Sequence, residues 1–201
     1  MTPDTPTAPG LDRRATVAQV LARRGDTLVV SSLGNPTYDV GAAGDHPLNF
    51  YLWGAMGGAL MVGLGLAEAQ PGRRVLVFAG DGELMMGMGA LATVAVRAPG
   101  NLAVMVLDNE RYAETGMQPA HSGLGVDIAA VARAVGFPQA ATVRRADELD
   151  AAATRLLEAP GPVLVVAKVA AVPVPVSLPP RDGPYLRSRF REALLGPAAH
   201  R

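Results

Sequence analysis

The chain has 201 residues, 49% of them hydrophobic, enough for one domain with a full core, and its 18 acidic and 18 basic residues cancel. Its arginine pairs, Arg13 with Arg14, Arg23 with Arg24 and Arg144 with Arg145, are scattered instead of forming a stripe, which argues against a nucleic-acid partner. Without cysteine there are no disulfides, zinc-thiolate sites or cysteine-held iron-sulfur clusters, in keeping with a cytoplasmic protein.

Residues 1–13 open as MTPDTPTAPG, polar and Pro-rich with no apolar core of the kind a signal peptide needs, and read as a flexible tail. Val17, Val20 and Leu21 then mark an amphipathic helix that Gly25 and Asp26 stop. Leu28, Val29 and Val30 start the first strand, which ends in a polar turn from Ser31 to Thr37. From Phe50 to Ala67 a run of 18 residues carries no charge, nominally the length of a membrane span. Its five glycines argue instead for a short strand, Phe50 to Trp53, and a buried helix from near Gly54 whose small residues let another backbone or a ligand come close. No membrane association is therefore expected.

Val75 to Ala79 and Leu102 to Leu107 read as buried strands separated by a helix-like stretch. Ile128, Val131, Ala132 and Val135 repeat at helical spacing, with Gly136 and Pro138 closing the helix. Asp147 reads as the N-cap of a further helix through Leu149, Ala152, Ala153 and Leu156, before a strand from Val163 to Val166. This alternation predicts a doubly wound α/β domain over residues 14–171 with a mostly parallel sheet flanked by helices. From Val172 the chain becomes an arm, 172–201, extended by Pro173, Pro175, Pro179 and Pro180, with a short helix from Tyr185 to Leu195. Such an arm lies on its own domain or on a second chain, or stays solvated.

The chemistry concentrates at two turns. Gly80-Asp81-Gly82 ends one central strand and Asp108-Asn109 ends the other, with Asn109 28 positions after Asp81. A parallel strand-helix-strand unit brings both strand ends to one edge, so Asp81 and Asn109 can converge on a single cation. Mg²⁺ takes oxygen ligands and is commonly held by one or two side chains plus substrate phosphates. One carboxylate and one amide leave it charge to be neutralised, which invites a diphosphate, and the backbone amides of Gly82 and Glu83 at a helix entry would face that anion. Each turn taken alone also reads as a simple tight turn. After the second turn comes a polar loop in which Glu114, Gln118 and His121 are candidate catalytic residues. His121 has the titration range for acid-base work or for binding an anion, although a loop histidine is also often just exposed.

Gly80-Asp81-Gly82 followed by Asp108-Asn109 resembles the thiamin-diphosphate fingerprint, GDG then NN after some two dozen or more residues. The resemblance implies that Asp81, Asn109 and the main-chain carbonyl of Arg111 hold Mg²⁺. It also implies cofactor contacts from Asn35 and Thr37 at the end of the first strand, residues that turn capping explains equally well, and from Tyr112 and Ala113. Gly54-Ala55-Met56-Gly57 is similar to the segment of 2-oxoacid decarboxylases and acetolactate synthases that holds the cofactor bent, with Met56 between its two rings. Asn49-Phe50-Tyr51, Gly63-Leu64-Gly65-Leu66-Ala67, Leu107-Asp108-Asn109 and Thr115-Gly116-Met117-Gln118 resemble the small β subunits of sulfopyruvate and phosphonopyruvate decarboxylases, over roughly residues 15 to 168. Glu83 departs from the pattern, standing where many relatives have Ser, Ala or another small residue, and so does Tyr112-Ala113-Glu114-Thr115.

What the resemblance implies is a diphosphate-binding (PP) domain, the thiamin-diphosphate- and Mg²⁺-binding half of a cofactor site. The activating glutamate would come from a separate Pyr-domain (α) subunit, because no residue of this chain is assigned to that role. The expected activity is decarboxylation of a small 2-oxoacid by a hetero-oligomer. The alternatives are an acetolactate synthase-like carboligase subunit and a non-catalytic cofactor-binding subunit.

Overall fold

The computed structural model describes residues 10–200; residues 1–9 of the expected tail, and residue 201, lie outside them. In chain order the elements are α1 (Arg13–Leu21), β1 (Leu28–Ser31), α2 (Asn35–Ala42), β2 (Asn49–Tyr51), α3 (Ala59–Ala69), β3 (Val75–Gly80), α4 (Asp81–Met86), α5 (Gly89–Arg97), β4 (Leu102–Asp108), β5 (Arg111–Tyr112), β6 (Gln118–Pro119), α6 (Ile128–Ala134), β7 (Gln139–Val143), α7 (Leu149–Glu158), β8 (Val163–Lys168) and α8 (Gly183–Leu195). Six strands form one parallel sheet in the order β2-β1-β3-β4-β8-β7. The fold is thus the doubly wound α/β class that the alternation of elements predicts.

Strand periodicity divides the core between the two sheet faces. Along β3, Val75, Val77 and Ala79 join one apolar cluster with Leu60, Leu64, Leu91 and Ile128 from α3, α5 and α6. Leu76 and Phe78 join the other, with Val17, Val20, Val40 and Leu156 from α1, α2 and α7. Full burial of side chains of this size is worth about 1.5–3 kcal/mol each, so the central strands anchor everything built at their ends. The chain leaves β1 in one direction to form β2 and returns to place β3 on the other side, which makes the gap between β1 and β3 a topological switch point.

Several local expectations are corrected. The polar turn from Ser31 to Thr37 gives way at Asn35 to α2, with Pro36 in its first turn, where a missing N–H costs nothing. The helix expected from Gly54 begins at Ala59, because Trp53, Ala55 and Gly57 have φ of 59°, 55° and 82°, outside the helical region. Asp147 does not cap α7: it lies in a 3₁₀ turn and pairs with Arg145, while Glu148 accepts from the backbone N–H groups of Arg144 and Arg145 at 2.8 and 3.0 Å. Strand β7 was not anticipated. It is an edge strand of Gln, Ala and Thr with little apolar alternation to announce it.

The chain's ends are tied down where they are described. Leu11 pairs with Val169 beside the sheet, and the Asp12 carboxylate accepts from Ala15 N–H at 2.8 Å to cap α1. The proline arm lies on its own domain: Arg14 donates to the Pro175 carbonyl at 2.7 Å and the Trp53 indole to that of Pro180 at 2.8 Å. Helix α8 then packs Phe190 edge-on to Phe50. Among the described residues no helix is long and apolar enough to cross a membrane.

Candidate active site

The register of the central strands sets the site. Gly80 of β3 lies abreast of Leu107 of β4, so Asp81, just past β3, follows beside Asp108, the last residue of β4, with Asn109 one step on. Asp81 and Asn109 are only 3% and 7% exposed. Both line a cavity of about 210 Å³ at the switch point, together with the turn after β1.

The cavity gathers most of the residues singled out from the sequence. Asn35, Met56, Gly80, Asp81, Gly82, Glu83, Asn109, Arg111, Tyr112, Ala113 and Glu114 all line it. Met56 is 45% exposed, so it is no core filler; it sits on the turn before α3 and forms part of the cavity wall. That turn is held against α4 from below. The Gly57 N–H donates to the Glu83 carboxylate at 2.9 Å, and the Gly57 and Gly87 backbones approach so closely that a Cβ on either would collide with the other. The same crossing ends α4 and separates it from α5. Gly82 is required for a similar reason, since a side chain there would strike the Tyr112 ring.

Five expected residues stand apart from the cavity. Thr37 is fully buried inside α2, its hydroxyl 2.8 Å from that of Ser31 and donating to the Ser32 carbonyl at 3.1 Å. Gly54 and Ala55 shape the turn that carries Met56 without lining the cavity. Gln118 is exposed in a small hairpin formed by β5 and β6, where it exchanges hydrogen bonds with Thr115 at 2.9 and 2.7 Å. His121 is exposed beyond the hairpin, with Nδ1 3.5 Å from the Tyr112 hydroxyl.

The site also takes in residues that the sequence motifs do not single out as cofactor or catalytic candidates. The 3₁₀ turn after the hairpin, His121–Leu124, folds back so that the Ser122 hydroxyl donates to Asp81 Oδ2 at 2.7 Å. Arg13 lines the cavity from α1 while ion-paired to the buried Asp39. Leu33, Gly34, Pro36, Leu107 and Thr115 complete the wall. The Leu33-Gly34 step before Pro36 lies in the polar turn expected from Ser31 to Thr37, a strand-to-helix turn of the kind that lines such crevices.

The electrostatics are those of a site built for a charge that folding does not itself need. Burial pushes the Asp81 carboxyl above the usual carboxylate range, and the neighbouring Asp108 pushes it further, against the hydrogen bonds from Ser122 and Gly82. Burial likewise raises Glu83 to about 7, against the backbone N–H bonds of Gly57 and Ala59. Among the described residues Glu83 Oε2 is buried without a hydrogen-bond partner.

Comparison with known proteins agrees with this geometry. Residues 38–167 match the family model described as thiamine pyrophosphate enzyme, C-terminal TPP binding domain. The chain is 37% identical over 166 residues to the sulfopyruvate decarboxylase subunit beta of Methanothermobacter thermautotrophicus, covering 83% of this chain and 87% of that one. It is 42% identical over 140 residues to the phosphonopyruvate decarboxylase of Streptomyces viridochromogenes, covering 70% of this chain and only 35% of that longer protein. Benzoylformate decarboxylase from Polynucleobacter necessarius shares the fold, with a TM-score of 0.69 at 21% identity over 88% of this chain and 36% of that one. Since the matched residues run from α2 through β8 and take in the turns after β3 and β4, the chain belongs to the family of C-terminal thiamin-pyrophosphate-binding domains.

Proposed function

We propose that this chain is the diphosphate- and Mg²⁺-binding subunit of a two-subunit thiamin-diphosphate-dependent decarboxylase acting on a small, anionic 2-oxoacid. The observation that carries the reading is the pairing of Asp81 and Asn109 at register-matched strand ends, on the same cavity as Met56. The residues fit the group: one carboxylate, one amide, a Gly80 and Gly82 turn free of side chains, and a largely apolar wall beyond them. When bound, the cofactor's thiazolium supplies the electron sink that lets a 2-oxoacid lose carbon dioxide.

The chain's own residues then bind and orient. Asp81, the Asn109 side chain and the Arg111 carbonyl would hold Mg²⁺, a hard cation suited to an all-oxygen donor set. The turn from Gly80 to Glu83 and Asn35 would face the diphosphate. Met56 would brace the cofactor between its rings, with Tyr112 and Ala113 alongside. Glu83 need not repel a neighbouring anion: with its carboxyl raised to about 7 it is largely neutral below that pH, and its protonated form offers a hydrogen-bond donor. Glu114, which lines the cavity, is the candidate for proton transfer to the product; Gln118 shapes its loop, and His121 reaches the site through Tyr112.

A partner follows from the same reading. The sulfopyruvate decarboxylase relative is named as subunit beta, and this chain spans most of its length. A Pyr-domain subunit would contribute the activating glutamate. The test is co-expression with a Pyr-domain chain from the same locus and an assay of carbon dioxide release from sulfopyruvate, phosphonopyruvate and pyruvate. Turnover is expected only with both chains, Mg²⁺ and thiamin diphosphate present. Robust turnover by this chain alone, or failure of the pair to retain the cofactor, would overturn the proposal.

A further inference from the structure

The residues of the turn after β4 alternate between two cavities. Asn109 and Arg111 line the cavity already described, whereas Asp108 and Glu110 line a second, polar one of about 210 Å³ behind it. Lys168 reaches into that second cavity from the end of β8, where it lies directly abreast of Asp108 in the parallel register. Its ammonium lies 2.7 Å from Asp108 Oδ2 and 2.7 Å from Glu110 Oε1, with the lysine side chain only 16% exposed. One cation thus grips the residues on both sides of Asn109 and leaves Asn109 itself unengaged by it.

We propose that Lys168 is a positioning residue for the cation site, fixing the turn from Asp108 to Arg111 in the one conformation that turns Asn109 and Arg111 to the first cavity. This rests on the reading of Asp81, Asn109 and Arg111 as the Mg²⁺ site. The turn needs such a clamp. Glu110 holds φ at 63°, a left-handed conformation costly for a residue with a side chain. The other bonds on it are local, Asp108 Oδ1 accepting from the Glu110 N–H at 3.1 Å and Asn109 Oδ1 from the Arg111 N–H at 3.0 Å, or come from the loop that follows, where the Ala120 N–H donates to the Glu110 carbonyl at 2.9 Å. Only the Lys168 bridge, beside the 3.0 Å bond from Val169 N–H to the Asp108 carbonyl, ties the turn to the sheet through β8. The second cavity also holds Ser122, whose hydroxyl bonds Asp81, so the same space supports both expected ligands from behind. Groups that orient ligands in this way commonly matter to affinity as much as to structure.

The test uses the full chain purified with its co-expressed partner, in equilibrium dialysis against thiamin diphosphate at graded Mg²⁺, alongside melting without either ligand. Lys168→Met is expected to raise the Mg²⁺ concentration for half-saturation by about tenfold or more, the usual loss on removing such support, and Lys168→Arg to recover most of it. Because Lys168→Met leaves Asp108 buried without its counter-charge and can lower stability, Glu110→Ala serves as a second variant: it breaks the more exposed half of the bridge and is expected to weaken Mg²⁺ by about threefold with unligated melting unchanged. Wild-type Mg²⁺ dependence in the folded variants, or loss of melting temperature with no change in Mg²⁺ affinity, would overturn the role of Lys168. Asp81→Ala separates this from the underlying reading. If that variant too binds cofactor with wild-type Mg²⁺ dependence, it is the cation site that fails; if it alone loses the dependence, only the inference about Lys168 does.

Discussion

Asp81 is held where a carboxylate does not help folding. Buried, beside Asp108 and answered by one hydroxyl and nearby backbone N–H groups, it costs stability in every state in which it is charged. Side chains kept at such a cost are characteristic of binding and catalytic sites. Asp81→Asn keeps the shape and removes the charge. Without ligands the variant is expected to melt about 2–4 °C higher at alkaline pH, the shift that ~1 kcal/mol makes in a chain of this size, while Mg²⁺-dependent retention of thiamin diphosphate is lost. A lower melting point with retention intact would make Asp81 structural. The same logic sets a pH dependence. Asp81 and Glu83 stay neutral in the folded chain over a range in which the unfolded chain has already ionised them. Their contribution to the stability of the unligated protein is therefore fully present below about 4, under the carboxylates' unfolded values. It declines as the pH climbs to about 7, where Glu83 titrates. Cation binding runs the other way, because Asp81 must lose its proton: Mg²⁺ affinity should rise over that range, with proton release read by calorimetry in buffers of different ionisation enthalpy. An affinity flat from about pH 5.5 to 8 would contradict the raised carboxyl.

At the scale of elements, what was legible in the sequence was what packs on both sides. The runs Val75 to Ala79 and Leu102 to Leu107 announce fully buried parallel strands, and those strands alone bring Asp81 and Asn109 together. What stayed hidden depends on tertiary contact. Helix α2 opens inside a segment whose Ser, Asn and Pro favour a turn, and the turn at residues 53–58 forms where an uncharged Gly-rich run suggests a helix. Its positive φ values are stabilised from outside, by Glu83 and by the Gly57 and Gly87 crossing, neither of which is visible in local periodicity. The segment expected as a loop after Asn109 forms instead the short β5-β6 hairpin, and which of its residues face the cavity and which, like Gln118, face one another is decided by that pairing. The crossing makes a prediction of its own. Gly87→Ala would push a methyl into the Gly57 backbone and displace Met56 from the cavity wall. Overpacking of this kind costs about 1–3 kcal/mol, so melting should fall; cofactor affinity should fall as well, while the Mg²⁺ requirement of the remaining binding persists. Unchanged affinity would mean that the Met56 turn does not form part of the cofactor site.

On the scale of the whole molecule, the arm and the helices leave exposed apolar side chains near the Gly57 and Gly87 crossing. The arm was a candidate for contact with a second chain, yet it lies on its own domain, with Pro179 against Gly41 and Arg181 over Trp53. The exposed methionines are elsewhere. Met56 precedes Gly57 and Met61 follows in α3, Met86 and Met88 flank Gly87, and the two segments touch at the crossing; of these four, Met56 lines the cavity, while a fifth exposed methionine, Met117, lies in the hairpin loop. Isolated exposed apolar residues need no explanation, but exposed methionines on two segments that touch beside a site suit a surface that another chain covers. In the two-subunit reading, the Pyr-domain chain has to reach the cavity to complete the site, and its contact is expected to run over Met61 and Met88, which are 41% and 46% exposed and lie outside the cavity wall. Replacing both by Lys adds charge at positions that solvent already reaches, so the chain's own melting should change little. Co-purification with the partner should weaken by about tenfold or more, as when charge is placed at the centre of an apolar contact, and decarboxylation should fall in proportion to the complex lost, recovering as partner concentration is raised. If the double variant instead assembles and turns over like wild type, the partner approaches from another side, and these methionines face solvent in the working enzyme.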